Sequence, residues 1–294
     1  MRRLSSLAQT RTNALPSVST VIHGIWGRPF IDLEPHLDLS GLDAIHEEVC
    51  LGLAQVPVAY TGGSHRSMGI MPPSLETEAL VDYGDVLRGL TGEQRAVFAS
   101  LADDPIAARD EDISDFGEER PRTLSRRQQL WLEYRHGVYF PWKVYYEMIP
   151  NHYWDEKSSA EGKAFTREAR TFFPETVAFV KRLPFQQIGR CNIMGLRAHD
   201  YGTVHLDGDP NQKPEADHFV TFCPAGNKRL FLWDEERAEK FHIEARAYWF
   251  NDSDHHGVEG APFFRYSIRV DGVFQPDFLQ ALRERHPELA RGNA

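Results

Sequence analysis

Apolar positions along this chain change their period near Pro184, from helical spacing before it to strand spacing after it. Leu42, Ile45, Val49 and Leu53 recur at helical intervals and predict a helix from Ser40 to about Ala54, with Ser40 as its N-cap. Ser74 to Leu101 carries apolar residues at mixed helical intervals. Leu124, Leu130, Trp131 and Tyr134 predict another helix over Thr123 to Arg135. Between them, Asp103 to Arg122 is crowded with charge, holds Pro105 and Pro121, and predicts a solvated surface loop. Phe165, Ala169, Phe172, Phe173, Val177, Phe179 and Val180 predict one long helix from Lys163 to Leu183, kinked at Pro174.

Beyond Pro184, short β-branched and aromatic runs take over: Gln187–Leu196, Phe219–Cys223, Arg229–Trp233, Lys240–Glu244, Arg246–Phe250 and Phe264–Val270. Turn-formers such as Pro224-Ala225-Gly226-Asn227 and Asp271-Gly272 separate or end them. The predicted class is α+β. A flexible lead-in (1–20) precedes a mainly helical region (21–185), a β-sandwich core of roughly 90 residues (186–275), and a closing helix and tail (276–294), the helix running from Pro276 to about Ala290. The dense aromatics between Trp131 and Trp154 are expected mostly to pack the helical region onto the core, with His136 and His152 as hydrogen-bonded structural residues.

Composition narrows the class further. The 294 residues are 41% hydrophobic, enough for a substantial core, and the formal net charge is −10. Lys and Arg are scattered rather than gathered into a stripe, which argues against a nucleic-acid partner. Cys50, Cys191 and Cys223 lie far apart with no Cys-x-x-Cys pair, which disfavours a disulfide framework and a thiolate zinc site and fits a reducing cytoplasm. No apolar run is long enough for a signal peptide or a membrane span, so a cytoplasmic location is expected.

Two clusters carry chemistry: Thr203-Val204-His205-Leu206-Asp207 and Asp252-Ser253-Asp254-His255-His256, with Arg265 nine residues past His256. Residues two apart on a strand share a face, so His205 and Asp207 can chelate one ion from a single strand or its exit. The third ligand lies 51 residues on (256 minus 205) and must return through the fold, as a jelly-roll does between its facing sheets. Adjacent strand residues face opposite ways, so His255 and His256 are alternatives for that ligand. Two imidazoles and a carboxylate with open positions opposite form the ligand set of non-haem Fe(II) oxygenases, leaving room for a bidentate 2-oxo acid and O2. An anionic co-substrate needs a cationic anchor. Arg265 suits that role through its planar fork, and strand alternation puts Ser267 and Arg269 on the same face. Arg197 can reach the site from the preceding strand, and Asp254 can orient a ligand histidine.

The stretch from about Gly195 to Pro276 resembles the aspartyl/asparaginyl β-hydroxylase-like branch of the Fe(II)/2-oxoglutarate dioxygenases. The resemblance rests on Leu196-Arg197 and Gly202 before His205-Leu206-Asp207, and on His218 opening the next strand. It also rests on Phe250-Asn251-Asp252-Ser253, on His256-Gly257-Val258, and on Arg265 followed six residues later by Asp271. It implies a double-stranded β-helix (cupin-like jelly-roll) core, with His205, Asp207 and His256 binding Fe(II). Arg265 and His218 would hold 2-oxoglutarate. Glu259-Gly260 stands where the family commonly has an Asn, and the first 180 or so residues match no pattern of the family. The implied activity is hydroxylation at an unactivated C–H, or desaturation or cyclisation from the same hydrogen abstraction. The substrate is expected to be a small amino acid or amino-acid-derived metabolite, with a peptidyl or carrier-tethered residue as the alternative.

Other classes share parts of the pattern. Asp254-His255-His256 matches the motif of a two-Mn(II) phosphoesterase family, which carries it in an α/β setting with further acids. A zinc hydrolase would use the same three ligands but leave Arg265 without a task. A non-catalytic cupin-like binding protein would not need the full set.

Overall fold

Alternation in the second half of the chain builds two antiparallel sheets. In the computed structural model, residues 22–58, 81, 83–109, 124–151, 153–208 and 215–285 are described. A six-stranded sheet runs β1 (Phe30–Asp32), β8 (Ala247–Phe250), β5 (Phe219–Phe222), β10 (Arg265–Phe274), β3 (Phe185–Leu196), β2 (Val144–Ile149) in spatial order. A four-stranded sheet runs β4 (Gly202–His205), β9 (His256–Val258), β6 (Leu230–Asp234), β7 (Glu239–His242). Every pairing is antiparallel.

The large sheet has two chemically different faces. Tyr266, Ile268 and Val270 of β10 and Cys191 and Ile193 of β3 point to one side, join the main hydrophobic core and are fully buried. On that side lie α1 (Leu42–Leu53), α6 (Arg167–Phe172), α7 (Pro174–Arg182) and α8 (Pro276–Glu284), whose Ile45, Val49, Ala169, Val177, Val180 and Leu282 enter the same core. The alternate residues face the small sheet: Ser267, Arg269 and Asp271 on β10, Arg190, Asn192 and Met194 on β3, Thr221 on β5. All of these except the half-buried Met194 are buried, so their polar groups must be satisfied by one another or by a ligand.

The helical half departs from its sequence pattern in several places. It supplies two strands to the large sheet, β1 and β2, the second from the aromatic-rich stretch expected to pack from outside. α1 starts at Leu42 after Gly41, whose left-handed φ of 94° ends the preceding turn; Ser40 is not the cap, its own N–H being donated to Asp38. The described part of 74–101 forms two helices, α2 (Tyr83–Gly89) and α3 (Gly92–Ser100), split where Thr91 and Gln94 close a capping box. A short α4 (Pro105–Arg109) occupies the start of the expected loop, whose remainder lies outside the described residues. α5 (Arg126–His136) begins with the capping box of Ser125 and Gln128 and ends on left-handed Gly137. The long kinked helix is two helices: Phe173, at φ −136° and ψ 46°, leaves the helical region before Pro174 and buries its ring on Tyr146. Asp271-Gly272 is not a turn, since β10 continues through it to Phe274 with a register shift.

That shift positions part of the site. Opposite Asp271/Gly272, β3 carries Gly189 as an extra residue, and a Cβ there would sit 2.3 Å from the Lys157 carbonyl oxygen. The missing side chain lets the 157–159 segment press against β3, which brings Lys157 into the interior, only 2% exposed. Gly189→Ala is expected to cost about 1–3 kcal/mol, as overpacking does, read as a lower urea midpoint at unchanged m-value.

Candidate metal centre

The space between the two sheets is a cavity lined by residues of β2, β3, β5, β8 and β10 on one side and of β4, β6 and β9 on the other. Three potential ligands meet in its wall. His205 ends β4, Asp207 lies two residues past that strand, and His256 opens β9 directly across from His205. Their ligand atoms all lie within 4.8 Å of one another. Asp207 lies at the strand exit, where its N–H donates to the Asp252 carbonyl at 2.8 Å. His255 is not in the group: it is half-buried on the opposite face, and its carbonyl accepts from Trp233 N–H.

The protons are arranged for ligation. His205 Nδ1 lies 2.7 Å from the Thr203 carbonyl, and His256 Nδ1 lies 2.8 Å from the Asp254 carbonyl. A carbonyl only accepts, so both Nδ1 atoms carry hydrogen and both Nε2 atoms turn to the centre. Burial, with His205 beside it, pushes His256 down to about 4, so it is uncharged near neutrality. Burial acts to raise the Asp207 carboxyl, but His256, Arg269 and His205 outweigh it and hold the group below its usual range. Asp254 acts through its backbone, while its carboxylate takes the His23 side chain and the N–H groups of His23 and Gly24.

Behind Asp207 lies a buried ion-pair network. Arg269 reaches Asp207 Oδ2 (3.0 Å), Asp271 Oδ1 (2.9 Å) and Asp252 Oδ2. Asp252 also pairs with Lys157 at 2.8 Å, and Asp271 with Arg190 at 2.8 Å. Nothing in the local sequence pattern marks Lys157 for this interior, and Asp252, though part of the second cluster, is given no role there by that pattern.

The expected anchors are placed differently. Arg265 is 1% exposed, but its guanidinium donates to the carbonyls of Glu259, Arg197, Phe263, Ala261 and Asp200 and does not line the cavity. It ties the 197–200 turn to the 259–263 loop. His218 is also elsewhere, stacked on Phe274 and accepting that residue's N–H at its Nδ1. Arg197 is exposed. Ser267 does line the cavity, and beside it stands a cation that sequence reasoning missed.

Lys228 is 5% exposed and donates to Ser267 Oγ at 2.5 Å, with Trp142 beneath its ammonium at 4.7 Å. Among the described residues no carboxylate pairs with it, and burial lowers it to about 8. Trp142 and Tyr145, from the aromatic stretch, complete this end of the wall. Asn192 donates to Tyr145 Oη at 2.5 Å and leaves its buried Oδ1 without a partner.

No family model matches the chain. No curated protein matches it either. Among solved structures, an oxidoreductase of the 2OG-Fe(II) oxygenase family from Burkholderia pseudomallei is 12% identical, with 44% of this chain and 70% of that one covered and a TM-score of 0.28. A prolyl hydroxylase in complex with a hypoxia-inducible-factor peptide fragment from Trichoplax adhaerens is 13% identical, with 50% and 70% covered and a TM-score of 0.28. The coconut allergen cocosin is 12% identical, with 70% and 55% covered and a TM-score of 0.22. Likenesses this slight carry no argument about activity. No described helix is long and apolar enough to cross a membrane.

Two outcomes follow from this geometry. Arg265→Met strands several buried carbonyls, so it should lose about 3 kcal/mol of stability yet still bind Co(II), as followed by denaturant unfolding and metal titration. His256 titrates lower in the fold than the ~6.5 of an unfolded histidine. Its contribution is therefore present above about pH 6.5 and lost as pH falls toward 4, and the urea midpoint of metal-free protein should drop across that window less steeply in His256→Leu.

Proposed function

We propose that this protein is a non-haem Fe(II)/2-oxoglutarate-dependent dioxygenase acting on a small amino-acid-like substrate, and that β3 to β10 form a double-stranded β-helix. The topology supports the second statement: eight consecutive strands divide into β8-β5-β10-β3 and β4-β9-β6-β7, two four-stranded sets that enclose the cavity. The observation that carries the first is the pairing of a two-histidine, one-carboxylate group with a buried cation, Lys228, in one cavity wall.

The residues fit the metal. Two imidazoles with Nε2 turned inward and an ionised carboxylate make up the facial set that suits Fe(II) and leaves positions open. Bound there, iron with 2-oxoglutarate and O2 supplies the oxidising chemistry for an unactivated C–H bond, typically a hydroxylation. The protein's part is to place and to exclude. Lys228, with Ser267, is matched to the far carboxylate of 2-oxoglutarate, a role the sequence had suggested for Arg265. A buried ammonium with no counter-charge gains what desolvation took from it when an anion docks. Trp142 and Leu230 keep that end dry. Asn192 Oδ1 and the Tyr145 hydroxyl offer an acceptor and a donor to a polar group of substrate. A peptidyl or carrier-tethered substrate would use the same polar pair.

Anaerobic addition of Fe(II) and 2-oxoglutarate to metal-free protein should produce a visible charge-transfer band that His205→Ala abolishes. Tight Zn(II) or Mn(II) binding with no band would instead favour a hydrolase or a binding protein. Lys228→Met should weaken 2-oxoglutarate by about 30-fold, the equivalent of one charged hydrogen bond, with Fe(II) affinity retained. Because a bound carboxylate raises the Lys228 pKa from about 8, binding near pH 8 should take up protons and weaken as pH rises further. Calorimetry in buffers of different ionisation enthalpy reads that uptake.

A further inference from the structure

Arg269, on β10 in the interior of the large sheet, joins a candidate ligand of the metal to two further buried acids. Its three donor edges are all directed. Nη1 meets Asp207 Oδ2 at 3.0 Å, Nε meets Asp271 Oδ1 at 2.9 Å, and Nη2 meets Asp252 Oδ2. The Phe219 ring centroid lies 3.9 Å from the guanidinium carbon and covers one face. Asp271 and Asp252 are in turn held by Arg190 and Lys157. A guanidinium clamped in this way cannot follow a moving carboxylate.

The two oxygens of Asp207 therefore stand in different surroundings. Oδ2 is taken by Arg269, whereas Oδ1 faces His205 Nε2 at 3.6 Å, on the side where the three ligand atoms converge. Backbone pairing of Asp207 N–H to the Asp252 carbonyl fixes the other end of the side chain. With Cα tethered and Oδ2 bonded, rotation about the carboxylate is blocked in both directions.

We propose that Arg269 is a positioning residue, and that it makes Asp207 a one-oxygen ligand by occupying Oδ2 and presenting Oδ1 to the metal. This rests on the metal reading given above. Freed from Arg269, Asp207 would be able to chelate with both oxygens, taking a position meant for co-substrate or O2, or to swing away.

The test uses the full chain, freed of metal, with Co(II) as the probe. Affinity is read by calorimetry and ligand geometry by the d–d absorption spectrum. Arg269→Lys keeps the charge but has only one compact head in place of the fork. It should weaken Co(II) by 10–100-fold, as loss of a ligand's hydrogen-bond partner does, and shift the d–d bands. In an Asp207→Ala background the same substitution should change neither affinity nor spectrum, because its action passes through the carboxylate. Arg190→Met, which breaks the network at Asp271 without touching Asp207, serves as the structural control and should lower the melting temperature while leaving the Co(II) spectrum in place.

Equal losses from Arg269→Lys with and without Asp207 would overturn the proposal, as would an Arg190→Met spectrum shifted like that of Arg269→Lys. Wild-type protein that binds Co(II) no better than His205→Ala would overturn the metal reading and the positioning role with it. Tight wild-type Co(II) binding with an unchanged Arg269→Lys spectrum would overturn the positioning role alone.

Discussion

Burying several charges on the inner face of a β-sheet is the constraint around which this protein is organised. An isolated charge in an apolar interior is too costly to keep, so Arg190, Arg269, Lys157, Asp207, Asp252 and Asp271 persist there as a mutually compensated set. The set is asymmetric. Arg269 is shared among three acids, and each outer acid has a second cation, which leaves Asp207 as the member turned toward the histidines. At the other end of the cavity Lys228 has a hydroxyl where the others have carboxylates. The same cavity wall therefore holds a carboxylate, Asp207, that meets a cation and a cation, Lys228, that meets a hydroxyl and a backbone carbonyl.

Much of this architecture is legible in the sequence. The shift of period at Pro184, six of the strand segments and the His205/Asp207 pair follow from alternation and spacing, because strand geometry maps sequence parity directly onto faces, whereas alternation left His255 and His256 as alternatives and the family resemblance implied His256. Parity also placed Ser267 and Arg269 together. It failed for Arg265, which shares their parity but folds onto backbone carbonyls, because parity gives the direction of Cβ and not the course of a long side chain.

Lys228 was invisible for a different reason. It follows the turn at Pro224 to Asn227, where a lysine ordinarily points to water, and its burial comes from tertiary contacts with Trp142, Ser267 and Met194. The same holds for Lys157, whose burial depends on a bulge at Gly189 in a strand that is distant in sequence. β1 and β2 were missed because each is a short run in a region read as mainly helical, and their strand character comes from pairing with β8 and β3.

The bulge at Gly189 sets how the two halves of the chain depend on each other. Through it, a segment ahead of β3 delivers the ammonium that pairs with Asp252, and Asp252 in turn steadies Arg269. A fragment beginning at β3 would retain all eight strands and all three candidate ligands, yet bury an aspartate short of one counter-ion at the back of the centre. The boundary suggested by the change in sequence texture is therefore not an electrostatic boundary. Asp252 meets both of its cations, Arg269 and Lys157, only when residues from both sides of it are present.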